Sequence, residues 1–295
     1  MDSFAGQRLV IFGCGYVGRA TARWALAQGL KVTALTRNPD TARSLAQLGV
    51  EAVIADLATA EWHPRVAGAP EFALNCVSSG GGGVEGYRHS YVNGMASIAA
   101  WARTYGPVGT MVYTGSTSVY PQDGGVPVDE TSAVGSDAER PQLLLRAEAT
   151  LAEAGGHAWR RWFILRLAGI YGPERHTLLE QVRSGTVAGK GAHHLNLIHR
   201  DDVVAAIAAA LAAPANITSQ ILNVADDGAA RKREVVDWLA AALGVPAPAF
   251  SGEPAAGRRV VTPDRVIANT RCKTVLGWAP KFSTFRDGYA SLLSR

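Results

Sequence analysis

Short runs of apolar, β-branched residues alternate with segments of helical periodicity along most of the chain. The apolar runs predict strands at residues 8–12, 31–35, 52–55, 72–77, 110–114, 162–167 and 220–224. The helical periods predict helices at residues 17–29, 41–48, 91–105 and 141–151. Because the strand runs are continuously apolar, helices should cover both faces of the sheet. The pattern therefore predicts an α/β fold with a doubly wound, parallel sheet of the Rossmann type.

Composition and charge exclude several classes of protein. The 295 residues are 47% hydrophobic and 18% charged, which suits one large domain or one and a half. No apolar run approaches the roughly 20 residues that a membrane-spanning helix needs. The opening MDSFAGQ carries an acid where a secretory signal carries positive charge, so we expect a cytoplasmic protein without membrane contact. Arginines are spread along the chain, and no nucleic-acid partner is expected.

Three cysteines lie far apart and form no C-x-x-C, so we expect neither disulfides nor a zinc site. His193 and His194 are adjacent without a carboxylate at ligand spacing, and no metal is predicted there either. His199, Asp201 and Asp202 are similar to a catalytic triad fragment. We interpret them instead as the start of a helix that one of the aspartates caps.

A glycine-rich turn joins the first predicted strand to the first predicted helix. LVIFGCGYVGRA places Gly13, Gly15 and Gly18 as G-x-G-x-x-G. The first glycine permits a tight turn, the second lets a pyrophosphate approach the backbone, and the third lets helix and strand pack closely. The helix N-terminus offers N–H groups to the anion. We therefore predict that a dinucleotide lies along Gly13, Cys14, Gly15, Tyr16, Val17 and Gly18.

The end of the second predicted strand favours one dinucleotide over the other. Thr36 stands where an acid would hold the 2′-hydroxyl of NAD, and Arg37 follows it. An arginine can instead meet a 2′-phosphate with charge-assisted hydrogen bonds. We therefore expect NADP, with NAD as the alternative. An arginine in a solvated turn would have the same appearance in the sequence.

Six motifs in order make the chain resemble the extended short-chain dehydrogenase/reductase family, in its NAD(P)-dependent epimerase/dehydratase group. They are GCGYVG at 13–18, ADL at 55–57, YVNGM at 91–95, GSTSVYP at 115–121, LRLAGIYGP at 165–173 and LIHRDDVVAAI at 197–207. The resemblance implies that Asp56 and Leu57 border the adenine. It also implies that the loop from Val77 and Ser78 to Gly83 lies along the dinucleotide. A homodimer is left open.

The catalytic pattern of that family is only partly present. The family uses a serine together with Y-x-x-x-K, in which the lysine lowers the tyrosine pKa and binds the nicotinamide ribose. By alignment Ser116 holds the serine position, whereas Gln142 and Arg146 hold those of tyrosine and lysine. Gln142 cannot ionise, but Arg146 keeps the positive charge. The chain thus resembles an atypical member that lacks Y-x-x-x-K.

Tyr120 and Tyr91 are candidate replacements for the missing proton donor, and for each the alternative is a tyrosine that only packs. We predict a Rossmann domain over 6–170, to which 196–227 contribute, and a smaller substrate-binding domain formed by 171–195 and 228–295. Two hypotheses follow. One is an NADP-dependent oxidoreductase or epimerase acting on a small polar substrate. The other is a non-catalytic NADP(H)-binding sensor or scaffold.

Overall fold

The computed structural model describes residues 4–253 and 263–294. Its strands, numbered in chain order, are β1 Arg8–Phe12, β2 Lys31–Thr36, β3 Glu51–Ile54, β4 Phe72–Asn75, β5 Val108–Ser116, β6 Val126–Val128, β7 Trp159–Leu167, β8 Gly169–Tyr171, β9 Thr186–Val187, β10 His194–Leu195, β11 Leu197–His199, β12 Gln220–Val224, β13 Ala230–Arg231, β14 Ala249–Phe250 and β15 Arg265–Ile267.

The α-helices are α1 Tyr16–Ala27, α2 Pro39–Gln47, α3 Gly83–Tyr87, α4 Gly94–Tyr105, α5 Glu139–Glu153, α6 Thr177–Arg183, α7 Arg200–Ala212, α8 Lys232–Leu243, α9 Thr270–Leu276 and α10 Phe285–Leu293. A π-helical segment, Arg88–Asn93, joins α3 to α4. Within the described residues, none of the helices is long and apolar enough to cross a membrane.

Seven strands form the main sheet, in the order β12-β7-β5-β4-β1-β2-β3. The pairings of β1 with β2, β1 with β4, β2 with β3 and β4 with β5 are all parallel. The predicted α/β fold of the Rossmann type is confirmed. The order reverses between β1 and β4, and a ligand in such a sheet binds at the carboxyl ends of the strands flanking this point.

Local chemistry explains where the predicted elements begin. The bounds predicted for β1 and β12 agree with the structure. Helix α2 begins before the predicted residue 41, because Asn38 caps it by accepting from the N–H groups of Asp40 and Thr41 and because Pro39 suits the first turn. The helix predicted from residue 91 is the end of a longer helical stretch that starts at α3.

The predicted capping role of Asp201 or Asp202 needs correction. Helix α7 starts at Arg200, so both aspartates lie in its first turn. The N–H of Asp201 donates to Nδ1 of His199 at 3.2 Å. The Asp202 carboxylate instead accepts from the N–H groups of Lys281 and Phe282, at 2.7 and 3.0 Å. The histidine therefore satisfies the helix amide, and Asp202 holds the chain before α10.

The described residues divide into two compact units. The first comprises Met1–Val119, Val134–Arg166 and Val204–Leu222, and the second comprises Tyr120–Ala133, Leu167–Val203 and Asn223–Arg295, each as far as it is described. The core of the first contains Phe12, Trp62, Trp101, Met111 and Trp159, all fully buried. The core of the second contains Val187, Val235, Leu239, Phe285 and Tyr289.

These units differ from the predicted domains in residues 120–133, 167–170, 196–203 and 223–227, which belong to the second unit rather than to the Rossmann part. One physical reason is the parallel pairing of β6 with β15, which ties Val126–Val128 to Arg265–Ile267. Residues 254–262 and 295 of the predicted smaller domain lie outside the described residues.

Candidate cofactor-binding site

The glycine loop after β1 packs directly on the loop after β4. Gly13 has a φ of +91°, and a Cβ at that position would lie 2.7 Å from both N and Cα of Val77. A Cβ on Gly18 would overlap the carbonyl oxygen of Gly13. Both glycines are therefore required by backbone packing within the protein.

Gly15 differs from its neighbours, since a Cβ there would have nothing within 4 Å. Gly15 is also the N-cap residue of α1, and no side chain caps this helix. The open space thus lies at the N-terminus of α1, where the N-cap residue itself has no side chain to cap the helix. This combination suits an anion such as a pyrophosphate.

The other residues of the loop contribute mainly packing. Cys14 and Val17 are buried, so only their backbone can face a ligand, while Tyr16 is half-buried. Burial raises the pKa of the Cys14 thiol to about 12, and the charge of Arg19 offsets this only in part. The Cys76 thiol donates to the carbonyl oxygen of Gly13 at 3.0 Å. The Cys76 thiol therefore links the two loops, while the buried Cys14 thiol with its raised pKa presents no nucleophile.

Arg37 follows β2 directly and is exposed. Its Nη2 lies 2.8 Å from the position that a Cβ on Gly80 would occupy, so the guanidinium lies across the glycine run after β4. Among residues 4–253 and 263–294, its side chain makes no hydrogen bond or ion pair. A guanidinium with free donors at the carboxyl end of β2 is available to a phosphate.

Asp56, which follows β3, is held by a histidine that the motifs did not indicate. Nε2 of His89, in the π-helical segment, lies 2.9 Å from both carboxylate oxygens of Asp56. The N–H of Ala58 donates to Oδ1 at 3.0 Å. Partial burial opposes ionisation of Asp56, but these hydrogen bonds and the charges of His89 and Arg37 lower its pKa below the usual value.

Leu57, Val77 and Ser78 occupy three different environments. Leu57 is buried in the core of the first unit. The N–H of Val77 donates to Oδ1 of Asn75 at 3.3 Å, which fixes the start of the loop, and Ser78 is exposed after it. The buried Nδ2 of Asn75 has no partner among the described residues. That orphaned donor lies at the carboxyl end of β4, where a ligand can supply an acceptor.

Ser116 ends β5, and its hydroxyl donates to Oγ of Ser118 at 3.0 Å. Tyr120 begins the second unit and is almost completely buried. Its hydroxyl donates to Oδ1 of Asn223 at 2.9 Å. Tyr120 would have to give up this bond in order to donate a proton to a substrate.

Tyr91 lies in the π-helical segment, with its ring centroid 5.1 Å from that of Tyr87. Burial, and to a smaller extent Tyr87, raise the pKa of the Tyr91 phenol well above its ordinary value. Its hydroxyl makes no hydrogen bond within the described part of the chain. Tyr91 is therefore a protonated phenol with an uncommitted donor at neutral pH.

The amino end of α5 contacts this tyrosine pair. The guanidinium of Arg140 lies 5.5 Å from the centre of the Tyr87 ring, and Arg88 Nη2 lies 2.8 Å from Oε1 of Glu139. Arg140 was not indicated by the motifs, because the contact joins positions that are distant in sequence. The structure thus brings Tyr91 and the predicted catalytic helix into one region.

Gln142 and Arg146 themselves lie on the exposed side of α5. The Gln142 amide donates to the carbonyl oxygen of Ser136 at 3.1 Å, which ties the helix to the chain before it. The Arg146 side chain makes no hydrogen bond or ion pair with any described residue. Its guanidinium therefore keeps all of its donors for a ligand.

Taken with the fold, these features fit a dinucleotide cofactor. Gly15 and the N-terminus of α1 would hold the pyrophosphate, and Arg37 would hold a phosphate on the adenosine ribose. The orphaned Nδ2 of Asn75 would find an acceptor on the same ligand. Within the described residues, the fit rests on the open space at Gly15, on a helix whose N-cap residue offers no capping side chain, and on a guanidinium that forms no hydrogen bond or ion pair.

Comparison with known proteins agrees with this geometry. Residues 9–225 match the family described as the NAD dependent epimerase/dehydratase family. The chain is 30% identical to Protein YeeZ of Escherichia coli strain K12 over 159 residues, which are 54% of this chain and 55% of that protein. It is also 30% identical to the 3-diazoavenalumate denitrifying reductase of Streptomyces sp over 215 residues, 66% of this chain and 68% of that one.

The fold is similar to that of the Bordetella bronchiseptica enzyme WbmG in complex with NAD, with a TM-score of 0.80. The sequence identity is 17%, and the comparison covers 98% of this chain and 94% of that chain, so the likeness is one of fold. The family match spans most of the chain. This chain belongs to the NAD dependent epimerase/dehydratase family.

Proposed function

We propose that this protein is an NADP(H)-dependent oxidoreductase of the extended short-chain dehydrogenase/reductase type, acting on a small polar substrate. One observation carries the choice of cofactor. Arg37 stands at the carboxyl end of β2, which ends in Thr36 rather than in an acid, and its guanidinium forms no ion pair with any described residue. A 2′-phosphate gains a charge-assisted hydrogen bond at this position, and a 2′-hydroxyl does not.

When bound, the nicotinamide supplies or accepts a hydride, and this chain must supply a proton to or take one from the substrate oxygen. We place Tyr91 before Tyr120 as the proton donor, although Tyr120 lies closer to Ser116 in sequence. The Tyr91 hydroxyl has no hydrogen bond to break within the described residues, whereas that of Tyr120 already donates to Asn223. The raised pKa of Tyr91 keeps its proton in place at neutral pH.

The protonated phenol of Tyr91 can fill the role that carbonyl reduction needs. Negative charge develops on the substrate oxygen as the carbonyl accepts a hydride, and a donor at that oxygen then supplies the proton. The Ser116 hydroxyl, which donates to Ser118 in this structure, can turn to donate a second hydrogen bond to the same oxygen. No described residue binds the Arg146 guanidinium, so its donors are available to the nicotinamide ribose.

A non-catalytic NADP(H)-binding sensor or scaffold is the alternative function. It is favoured by Gln142, whose amide cannot ionise and already donates to Ser136. In this alternative the dinucleotide binds as proposed, but no hydroxyl transfers a proton.

The cofactor choice is tested by titrating the protein with NADPH and NADH and following nicotinamide fluorescence. We expect tighter binding of NADPH, and Arg37→Ala should remove most of the difference, by the 1.5–3 kcal/mol or so that a hydrogen bond to a charged group contributes. Arg43→Ala, which alters an exposed arginine on α2, is the matched control. Equal affinity of the wild type for both dinucleotides would contradict the assignment.

A screen of carbonyl compounds with NADPH then separates the two functions. Oxidation of NADPH that depends on one of these compounds supports the reductase. Tight NADPH binding without turnover across aldehydes, ketones and α,β-unsaturated carbonyls supports the sensor or scaffold.

A further inference from the structure

We infer that His89 is a specificity-determining residue: by binding the Asp56 carboxylate, it leaves the Arg37 guanidinium free to bind the 2′-phosphate of NADP. The inference rests on the proposed cofactor choice and adds to it a residue outside the glycine loop. All three residues belong to the first compact unit.

The first step of the argument is the geometry at Asp56. Both of its oxygens lie 2.9 Å from Nε2 of His89, and Oδ1 also accepts from the N–H of Ala58. Both oxygens are thus within hydrogen-bond distance of His89, and Oδ1 also has the amide of Ala58. Within the described residues, the His89 imidazole is the side chain at ion-pair distance from this carboxylate.

The second step is that Arg37 is near enough to compete with His89. Strands β2 and β3 are adjacent and parallel, with Thr36 opposite Ile54, so Arg37 and Asp56 follow the carboxyl ends of neighbouring strands. The charge of Arg37 contributes to the lowered pKa of Asp56. The two side chains therefore interact electrostatically without forming an ion pair.

The third step is the position of the guanidinium. Its Nη2 lies against Gly80, where φ is +62° and a Cβ would be only 2.8 Å away. A guanidinium that lies along the glycine run faces the loop that flanks the sheet's switch point. Were it to turn toward Asp56, a carboxylate would neutralise it, and an incoming phosphate would have to displace that carboxylate.

The consequence concerns the choice between two cofactors that differ only by one phosphate. His89 engages the carboxylate that would otherwise attract Arg37, so that the cation remains available. Interactions common to NADPH and NADH cancel in the ratio of their affinities. That ratio therefore reports on Arg37 and on the residues that decide whether its guanidinium is available to the 2′-phosphate.

The test is a comparison of NADPH-to-NADH affinity ratios by fluorescence titration or calorimetry, which needs no substrate. His89→Ala should lower the ratio about tenfold, the scale of one lost charge-assisted contact. His89→Gln keeps an N–H donor for the carboxylate and should stay within roughly threefold of the wild-type ratio. His157→Ala, an exposed histidine that follows α5, is the control.

The double variant His89→Ala/Asp56→Asn separates this explanation from a general disturbance of the loop. Asparagine carries no charge to pair with Arg37, so the ratio should return to within about threefold of wild type. An unchanged ratio in His89→Ala, or a ratio that stays low in the double variant, overturns the inference. Equal affinities of the wild type for NADPH and NADH would overturn the proposed cofactor choice as well. A wild-type preference for NADPH that is unchanged in His89→Ala would overturn only the inference. Thermal melting of each variant shows whether it is folded.

Discussion

Glu148 on α5 and Arg166 on β7 form a buried, two-pronged ion pair. Nε of Arg166 lies 3.1 Å from Oε1 of Glu148, and its Nη2 lies 2.6 Å from Oε2. Both side chains are nearly inaccessible to solvent. Gly115 of β5 leaves the room for this pair, since a Cβ there would lie 3.0 Å from Oε1 of Glu148. The pair attaches the predicted catalytic helix to the sheet at a fixed position along its length.

The first prediction is that Glu148→Ala lowers the free energy of unfolding by about 3–5 kcal/mol, because it leaves the Arg166 charge buried without its carboxylate. Urea denaturation measures the change. Glu234→Ala removes the exposed ion pair with Arg286 and should cost no more than about 1 kcal/mol. Equal losses in the free energy of unfolding in the two variants would show that burial adds nothing to the contribution of the Glu148–Arg166 pair.

The second prediction separates two glycines of one loop. Gly15→Val should abolish dinucleotide binding while leaving the melting temperature nearly unchanged, since its side chain enters open space at the helix N-terminus. Gly13→Ala should instead lower the melting temperature, because its Cβ meets the Val77 backbone at a positive φ. If Gly15→Val bound the dinucleotide as tightly as the wild type, the assignment of this loop to the pyrophosphate would be contradicted.

The third prediction concerns Asp226, a buried carboxyl that follows β12. Its Oδ1 accepts from the N–H of Gly228, while its buried Oδ2 has no partner among the described residues. Burial first, and then the nearby charges of Asp227, Asp202 and Asp287, raise its pKa from 3.8 to about 7. The folded state therefore binds this proton more tightly than the unfolded state does.

The stabilisation from that proton is complete below about pH 4 and is lost as the pH rises through about 7. Asp226→Asn should remove this part of the pH dependence and raise the melting temperature above pH 7. The gain has an upper limit on the order of 4 kcal/mol. Asp237→Asn, at an exposed position on α8, is the control and should leave the stability profile unchanged. If the melting temperatures of wild type and Asp226→Asn changed with pH in parallel, the raised pKa of Asp226 would be contradicted.

The fourth prediction tests the proton donor with a carbonyl substrate that the enzyme turns over. Tyr91→Phe should lower kcat by the 10²–10⁴-fold that a general acid contributes. Tyr120→Phe should instead lose its hydrogen bond to Asn223 and cost about 1 kcal/mol of stability, with kcat within a few-fold of wild type. Full activity in both variants would show that neither tyrosine is the donor.

The fifth prediction addresses the helix that lacks Y-x-x-x-K. Arg146→Ala should weaken binding of both dinucleotides alike, because it removes donors proposed for the nicotinamide ribose, which NADPH and NADH share. Gln142→Ala should leave binding nearly unchanged, since the amide contacts Ser136. Fluorescence titration measures both. Unchanged affinity in Arg146→Ala would exclude that role for the arginine.

Local sequence patterns predict the elements of this fold well and its long-range contacts poorly. The run from Arg8 to Phe12 specifies a strand by itself, and the structure confirms its bounds. The pairing of Val126–Val128 with Arg265–Ile267 joins residues far apart in sequence, and no local period indicates it. For this reason the sequence pattern predicts residues 120–133 in the Rossmann domain, whereas in the structure they cluster with the second compact unit.

The same limit applies within the candidate site. Gly13, Gly15 and Gly18 follow from a motif whose physical basis is local. The contact between His89 and Asp56 joins positions 33 residues apart, and it depends on a helical turn that the sequence pattern does not show. The contact of Arg140 with Tyr87 is hidden for the same reason.

The π-helical segment Arg88–Asn93 makes the backbone conformation around His89 part of the proposed cofactor choice. A π-turn holds one residue more than an α-turn, and it is costly enough to occur mainly where a protein uses it. If the same residues formed a regular α-helix, each turn would hold one residue fewer, and His89 would be rotated by about 100° relative to α4, which is anchored in the core. Every side chain of the site would keep its identity, yet the imidazole would turn away from Asp56. The π-helical backbone, and not only the identity of residue 89, therefore sets where this imidazole points.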